Sequence, residues 1–302
     1  MEKRRLAFVG CGLIGVGLAA NSLLTGHPTS LYDTCDPQII RKRISDIFDL
    51  FVEHGAYTRE QTDAAAALAL YTDDLSEAVR GACFVQESAP ERLELKRSIY
   101  RMIQEVCGPE TVIGSSASQI LPSDLQEGAL YPDRILSGHP FNPSHLLPAV
   151  ELVAGKQTSP EALAFAKEIY TEMDKVPCVC LKEQPGYLVQ GINGKILLMA
   201  IDLVAQGVAT AEDVDKALMY GPGMRIPLCG QLLTIGLGCQ GGWREMAQKY
   251  CATEPPKEYL LVADQVDVEL ANRPEALGNT LESVLRWRDE SLIDLQRIQK
   301  RM

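Results

Sequence analysis

Histidine, tryptophan and clustered cysteine are scarce in this chain, and each scarcity removes a class of function. Only four histidines (His27, His54, His139, His145) and two tryptophans stand among 302 residues. The nine cysteines are scattered, with no C-x-x-C pair and no Cys/His cluster of the spacing that zinc requires. No metal site is expected. An odd number of dispersed cysteines in a long chain fits reduced thiols rather than a disulfide scaffold. Positive charge is also short: Lys+Arg is 29 against 40 Asp+Glu, a formal net charge of −11. So acidic a chain is a poor partner for nucleic acid or anionic lipid. A long apolar run is missing as well. Lys3-Arg4-Arg5 precede an uncharged stretch, Leu6 to Tyr32, that superficially resembles a secretion signal or membrane span. Gly10, Gly12, Gly15, Gly17, Asn21-Ser22 and His27-Pro28 interrupt it, leaving only Leu6–Val9 continuous before the first glycine. The expectation is a cytoplasmic protein with no membrane segment.

What is present begins in that same stretch. Arg5–Val9 reads as a short buried parallel strand. Gly10-Cys11-Gly12-Leu13-Ile14-Gly15 follows, and Leu13–Leu24 carries apolar residues at helical spacing. This is G-x-G-x-x-G between a strand and a helix, the context a dinucleotide-binding turn needs. The first glycine permits the tight turn, the second lets backbone approach a pyrophosphate, and the third lets helix pack on strand. The N–H groups of Leu13, Ile14 and Gly15 at the helix start then face the phosphates. The next strand, Thr29–Asp33, ends in a carboxylate eighteen residues after Gly15. Asp33 is placed to accept the adenosine ribose hydroxyls and to repel a 2′-phosphate, so the cofactor is expected to be NAD. Arg41, Lys42 and Arg43 lie further on in a helix and are expected to face water.

Asp36–Glu53 reads as an amphipathic helix and Thr58 to Ala69 as a second helical piece. Short apolar strands recur at Leu70–Thr72, Ala82–Gln86, Thr111–Gly114 and Arg134–His139, with helical segments between the first four. This alternation predicts an α/β fold with a Rossmann-type, mostly parallel sheet. A strand at Ala149–Val153, a helix at Ser159–Met173 and a strand at Val176–Leu181 complete it. Beyond Gln184 only helical periodicity remains. Glu183-Gln184-Pro185-Gly186 is the linker signal, giving an NAD-binding domain over 1–184 and an all-helical substrate and dimerisation domain over 185–302. Ile196-Leu197-Leu198-Met199-Ala200-Ile201 is an unbroken apolar run that a small helical domain cannot easily cover alone, so a homodimer through it is expected.

His139 ends a strand in Gly138-His139-Pro140-Phe141-Asn142-Pro143, and Glu151 lies twelve residues on within Ala149–Val153. Pro140, Pro143 and Pro148 forbid a helix between them. If the two strands pair antiparallel about residue 145, His139 and Glu151 are directly opposed. A carboxylate in an apolar strand needs a partner. Paired with imidazole, it fixes one tautomer and stabilises imidazolium, as a general base requires. A satisfied core histidine is the alternative reading of the same spacing. His145, in the loop, is expected at solvent or in a pocket wall.

Gly138-His139-Pro140-Phe141-Asn142-Pro143 with Val150-Glu151-Leu152-Val153 resembles the signature of the 3-hydroxyacyl-CoA dehydrogenase superfamily. Val85-Gln86-Glu87-Ser88-Ala89-Pro90-Glu91-Arg92-Leu93, Gly223-Met224-Arg225 and Arg286-Trp287-Arg288-Asp289-Glu290 are most similar to its lambda-crystallin, L-gulonate 3-dehydrogenase and carnitine 3-dehydrogenase branch. The resemblance spans nearly the whole chain. It implies that His139 takes the substrate hydroxyl proton, that Glu151 orients it, and that Ser118 hydrogen-bonds the reacting oxygen. It also implies that Glu87 lies beside the nicotinamide. Where the family carries Asn-Arg, this chain has Gln190-Gly191, and Asn193 is one helical turn further on. Gln190 and Asn193 are therefore both candidates for the substrate.

Acyl-CoA members of the family are expected to hold the CoA tail with basic and hydroxyl groups after the second strand. Here Ile44–Asp63 carries Asp46, Asp49, Glu53, Glu60 and Asp63 against a lone Arg59. Arg225 matches an arginine expected to face a free carboxylate, which a thioester lacks. The expected activity is NAD-dependent oxidation of a small free 3-hydroxy acid resembling gulonate, carnitine or 3-hydroxybutyrate. A short-chain CoA thioester and a catalytically idle NAD-binding structural protein are the competing readings.

Overall fold

The computed structural model describes residues 3–251 and 254–300. Strands β1 (Leu6–Val9), β2 (Thr29–Tyr32), β3 (Ala69–Thr72), β4 (Phe84–Glu87), β5 (Val112–Ser115), β6 (Ile135–Pro140), β7 (Ala149–Ala154) and β8 (Val176–Cys180) form one sheet, in the order β3-β2-β1-β4-β5-β6-β7-β8. Every neighbouring pair is parallel except β6 with β7. Helices α1 (Leu13–Leu24), α2 (Pro37–Glu53), α3 (Arg59–Ala66), α4 (Leu75–Val79), α5 (Leu93–Cys107), α6 (Pro122–Leu125) and α7 (Pro160–Glu172) connect the strands. The fold is Rossmann-like.

Period-two alternation in the strands divides the core between the sheet's faces. Leu6 and Phe8 pack with Val16 and Leu18 of α1, Ile40 and Ile44 of α2 and Tyr170 of α7. Ala7 and Val9 belong to the other face, with Val79, Ile99, Tyr100 and Ile103. Each wholly buried Leu, Ile or Phe contributes roughly 1.5–3 kcal/mol. The caps are equally local: Asp36 accepts from the Gln38 N–H ahead of Pro37, and Thr58 with Gln61 forms a capping box.

Among the described residues seven further α-helices follow: α8 (Val189–Ala205), α9 (Ala211–Tyr220), α10 (Pro222–Cys229), α11 (Gln231–Gly236), α12 (Gly242–Tyr250), α13 (Lys257–Ala271) and α14 (Leu281–Ile298). Compact units extend over Met1–Lys195 and Ile196–Met302, so the division falls inside α8. The second unit has its own small core, including Leu233, Leu237, Trp243, Met246, Ala263 and Val284. Among the described residues no helix is long and apolar enough to cross a membrane.

Candidate active site

The carboxyl ends of β1, β2 and β4 converge, because Val9 is in register with Tyr32 on one side and Glu87 on the other. Ligands of open α/β sheets bind at this edge. The chain leaves β1 through Gly10, whose φ of +92° suits glycine, and a Cβ there would lie 2.6 Å from the Ser88 carbonyl carbon. A Cβ on Gly15 would sit 2.0 Å from the Gly10 oxygen. Protein packing therefore demands both residues. Gly12 differs: nothing of the protein lies within 4 Å of its Cβ position, and its φ of −70° is open to any residue. That open space, the absence of a side-chain cap on α1 and the 82% exposure of Leu13 fit a pyrophosphate approaching the backbone there. Ile14 follows in the same turn, half-buried.

Asp33 follows β2 and accepts from the Cys11 N–H at 2.8 Å and from the Thr34 N–H at 2.7 Å. A carboxylate has about four acceptor positions, so capacity remains for ribose hydroxyls. Of the three cations expected in water, Lys42 does pair with Asp46 at the surface. Arg41 and Arg43 are exposed as well; Arg41 also covers the Tyr71 ring at 4.9 Å, and Arg43 reaches back to the Gly-rich turn, donating to the Cys11 carbonyl at 2.7 Å. Sequence spacing alone does not show this contact between the turn's carbonyl and a surface guanidinium.

Glu87 ends β4. Its carboxylate is fully buried and bonded to interior groups. It accepts from Lys96 Nζ at 2.7 and 2.9 Å, the Tyr100 hydroxyl at 2.6 Å, Ser115 Oγ at 3.1 Å and the Ala89 N–H at 2.7 Å. Burial, together with this negative charge, holds the Tyr100 phenol well above its usual range. The signal was Lys96, nine residues on and on the inward face of an amphipathic helix.

At β6 and β7 the antiparallel register places His139 directly against Glu151. The His139 Nδ1 to Glu151 Oε2 distance is 2.9 Å. Glu151 is wholly buried, and its other oxygen accepts from the Leu188 N–H at 2.7 Å and from the Val189 N–H at the start of α8. Burial pushes its pKa up, but the bonds from His139, Val189 and Leu188 outweigh this and leave it below the usual carboxylate range. An ionised carboxylate only accepts, so Nδ1 carries the proton and Nε2 is the basic nitrogen. Phe141 and Tyr187 flank the imidazole at ring separations of 4.9 and 6.0 Å. Gly138 beside it is obligatory, since a Cβ would lie 1.9 Å from the Tyr170 hydroxyl.

Ser118 lies just beyond β5, the strand paired with β6. Its hydroxyl donates to Glu91 Oε2 at 2.7 Å, and Glu91 Oε1 accepts from the N–H groups of Ser118, Gln119 and Ile120. Partial burial raises the Glu91 pKa; these bonds outweigh it and the net shift is downward. Glu91 thus orients the Ser118 loop, a function its spacing does not announce. Tyr187 has a left-handed φ of 46° and donates to the Ile120 carbonyl at 2.6 Å, tying that loop to the approach to α8. Between β6 and β7, Lys175 Nζ holds the Ser144 and Leu147 carbonyls, and Ser144 Oγ donates to the Ile14 carbonyl at 2.8 Å. His145 is half-buried there against Phe51, with its pKa lowered by burial and by Lys175.

Gln190 and Asn193 are exposed in the first turns of α8, close in sequence to the Glu151-bound amides. Arg225 is exposed on α10 in the second unit, where it lines a cavity of about 480 Å³ with Met224, Leu292 and Gln296.

Residues 5–184 match the model of the 3-hydroxyacyl-CoA dehydrogenase NAD binding domain, and residues 186–275 match that of the 3-hydroxyacyl-CoA dehydrogenase C-terminal domain. The L-carnitine dehydrogenase of Pseudomonas putida is 36% identical over 301 residues, covering 97% of this chain and 92% of that protein. Among solved structures, M. tuberculosis FadB2 superposes with a TM-score of 0.69 at 27% identity, over 88% of this chain and 95% of its own. FHMPC 5-dehydrogenase, described as an NAD+ dependent dismutase, gives 0.71 at 26% identity, over 99% of both chains.

Proposed function

From the premise that this chain belongs to the 3-hydroxyacyl-CoA dehydrogenase family and is an NAD-dependent dehydrogenase acting on a CH–OH group, we propose that it oxidises a small free 3-hydroxy acid of the carnitine type to the 3-keto acid, with His139 as general base. The observation that carries the mechanism is the buried His139–Glu151 pair at 2.9 Å. Nε2 of His139 takes the substrate hydroxyl proton as the carbonyl forms. Glu151 holds the ring in that tautomer and offsets the charge it acquires. Ser118, held by the bond from its N–H to Glu91, turns its hydroxyl from Glu91 Oε2 to hydrogen-bond the reacting oxygen. NAD, when bound, supplies the hydride acceptor. Gly10, Gly12, Leu13, Ile14, Gly15 and Asp33 hold it, with Glu87 supporting the adjoining strand end from inside.

For the substrate, the named activity of the Pseudomonas putida relative supports carnitine-like acids. Electrostatics argue against the CoA thioester alternative: Arg59, the lone cation of the acidic stretch 44–63, is paired with Asp49 at 2.7 Å. Arg225 is assigned to the substrate carboxylate, with Gln190 and Asn193 as further polar contacts. A screen of NADH formation on carnitine, gulonate, 3-hydroxybutyrate and 3-hydroxybutyryl-CoA tests this. Turnover confined to the thioester would overturn the substrate assignment. His139→Ala is expected to abolish turnover while NAD+ binding persists; undiminished turnover would overturn the base assignment. A homodimer is also proposed, because Leu197, Leu198, Met199 and Ile201 of α8 are 55–67% exposed. A monomer in sedimentation would refute it.

A further inference from the structure

We infer that Arg43 is a cofactor-contacting residue that sets, together with Asp33, the discrimination between NAD and its 2′-phosphorylated counterpart. The inference rests on a dinucleotide lying on the Gly-rich turn. Two side chains converge on a single residue of that turn: Asp33 accepts from the N–H of Cys11 at 2.8 Å, and Arg43 donates to the carbonyl of the same residue at 2.7 Å. No ion pair joins them among the described residues, so the guanidinium is held by the backbone rather than neutralised by the carboxylate. It has five N–H groups, and the described contacts engage one.

The neighbouring cations show that this placement is particular to Arg43. Arg41 lies over Tyr71 and Lys42 pairs with Asp46, each on its own part of α2. Arg43 follows Ile40 by three positions and precedes Ile44, both wholly buried, so α2 is anchored where this side chain departs. The site therefore carries an acceptor for ribose hydroxyls and, across one residue of backbone, a cation suited to a phosphate. With Asp33 ionised beside it, a 2′-phosphate is repelled and the ribose diol is selected. With that charge removed, Arg43 remains as a preformed phosphate anchor.

Calorimetric titration of the full-length protein with NAD+ and NADP+ tests this without relying on turnover. Asp33→Asn keeps an oxygen for the Cys11 N–H while removing the charge. It should shift the NADP+/NAD+ affinity ratio toward NADP+ by about tenfold or more, and adding Arg43→Ala should abolish that gain. Equal NADP+ affinity in Asp33→Asn with and without Arg43→Ala would overturn the inference. Arg43→Ala alone provides a second arm if the Asp33 variant does not fold. Titrated with 2′,5′-ADP and 5′-ADP, it should weaken the former more; equal losses would overturn the inference. Wild-type protein that binds neither NAD+ nor NADP+ would instead refute the dinucleotide site itself.

Discussion

Replacing Glu151 by Gln isolates the charge on which the proposed base depends. The substitution preserves size but leaves one acceptor oxygen where the structure uses two. Oε1 receives the amides of Leu188 and Val189, and Oε2 receives His139 Nδ1. If the glutamine oxygen serves the start of α8, its NH2 faces Nδ1, which must then accept. The imidazole proton moves to Nε2 and the base is blocked. The opposite orientation sets an NH2 against two N–H donors in a buried site, a more costly arrangement. Losing a charge-assisted hydrogen bond worth about 1.5–3 kcal/mol predicts a kcat lower by roughly 10- to 150-fold, with the tautomer block adding to it. NADH formation under saturating substrate measures the effect, and calorimetric NAD+ affinity should be unchanged. A kcat within about threefold of wild type, with NAD+ affinity intact, would refute the reasoning, since a positioning role cannot survive loss of the proton geometry. Acid titration gives a second signature. Glu151's pKa is depressed in the folded protein, so its stabilisation is present above the unfolded value of about 4.3 and is lost as pH falls through the folded one. Wild type should lose stability through that acid window more steeply than Glu151→Gln.

Gly12→Ala should leave the melting temperature nearly unchanged and weaken NAD+ about tenfold or more, because the protein leaves its Cβ position open and a pyrophosphate would not. Gly15→Ala should instead destabilise by about 1–3 kcal/mol in urea unfolding, since its Cβ would meet the Gly10 oxygen at 2.0 Å. Lys96→Met strands the buried Glu87 carboxylate and should cost about 3–5 kcal/mol, much of it recovered in the Glu87→Gln/Lys96→Met double variant; an unrescued double variant would contradict this account. Burial lowers the Lys175 amine to about 8, so between there and its unfolded value of about 10.4 the unfolded chain binds more protons and stability rises with pH. Relative to Lys175→Met, wild type should therefore gain stability between about pH 8 and 9.5; parallel urea-unfolding curves would refute it.

Much of the sheet was legible because its determinants are local. The alternation of Leu6 and Phe8 with Ala7 and Val9 marks a strand covered on both faces, and Asp36-Pro37 and Thr58 announce the helices they cap. The His139–Glu151 pairing was legible for a different reason. Three prolines exclude a helix, the strands must fold back, and counting from the midpoint fixes the opposed residues. The motif position of Glu87 indicates which strand end it occupies, not which way its carboxylate turns. That direction is fixed by Lys96 and Tyr100, contributed by the following helix. Arg43 is exposed, as its place on the helix predicts, but its contact is not legible there. Helical periodicity puts it at the surface, but a long side chain can leave its own face, and the Cys11 carbonyl supplied a destination.

The partners of Glu151 show why a pair can be read from a sequence while the surrounding shell cannot. Its bond to His139 follows from strand register, which is a counting argument. Its bonds to Leu188 and Val189 depend on where the chain re-enters after β8 and on Tyr187 adopting a left-handed φ, which no periodicity encodes. Yet those amides share the burden of keeping the buried carboxylate ionised, and an ionised carboxylate is what fixes the imidazole tautomer. The chemistry proposed for His139 is thus conditional on the start of a helix fifty residues away. Weakening the Tyr187 tether should therefore lower kcat even though that hydroxyl bonds to the Ile120 carbonyl and Ser137 rather than to the imidazole.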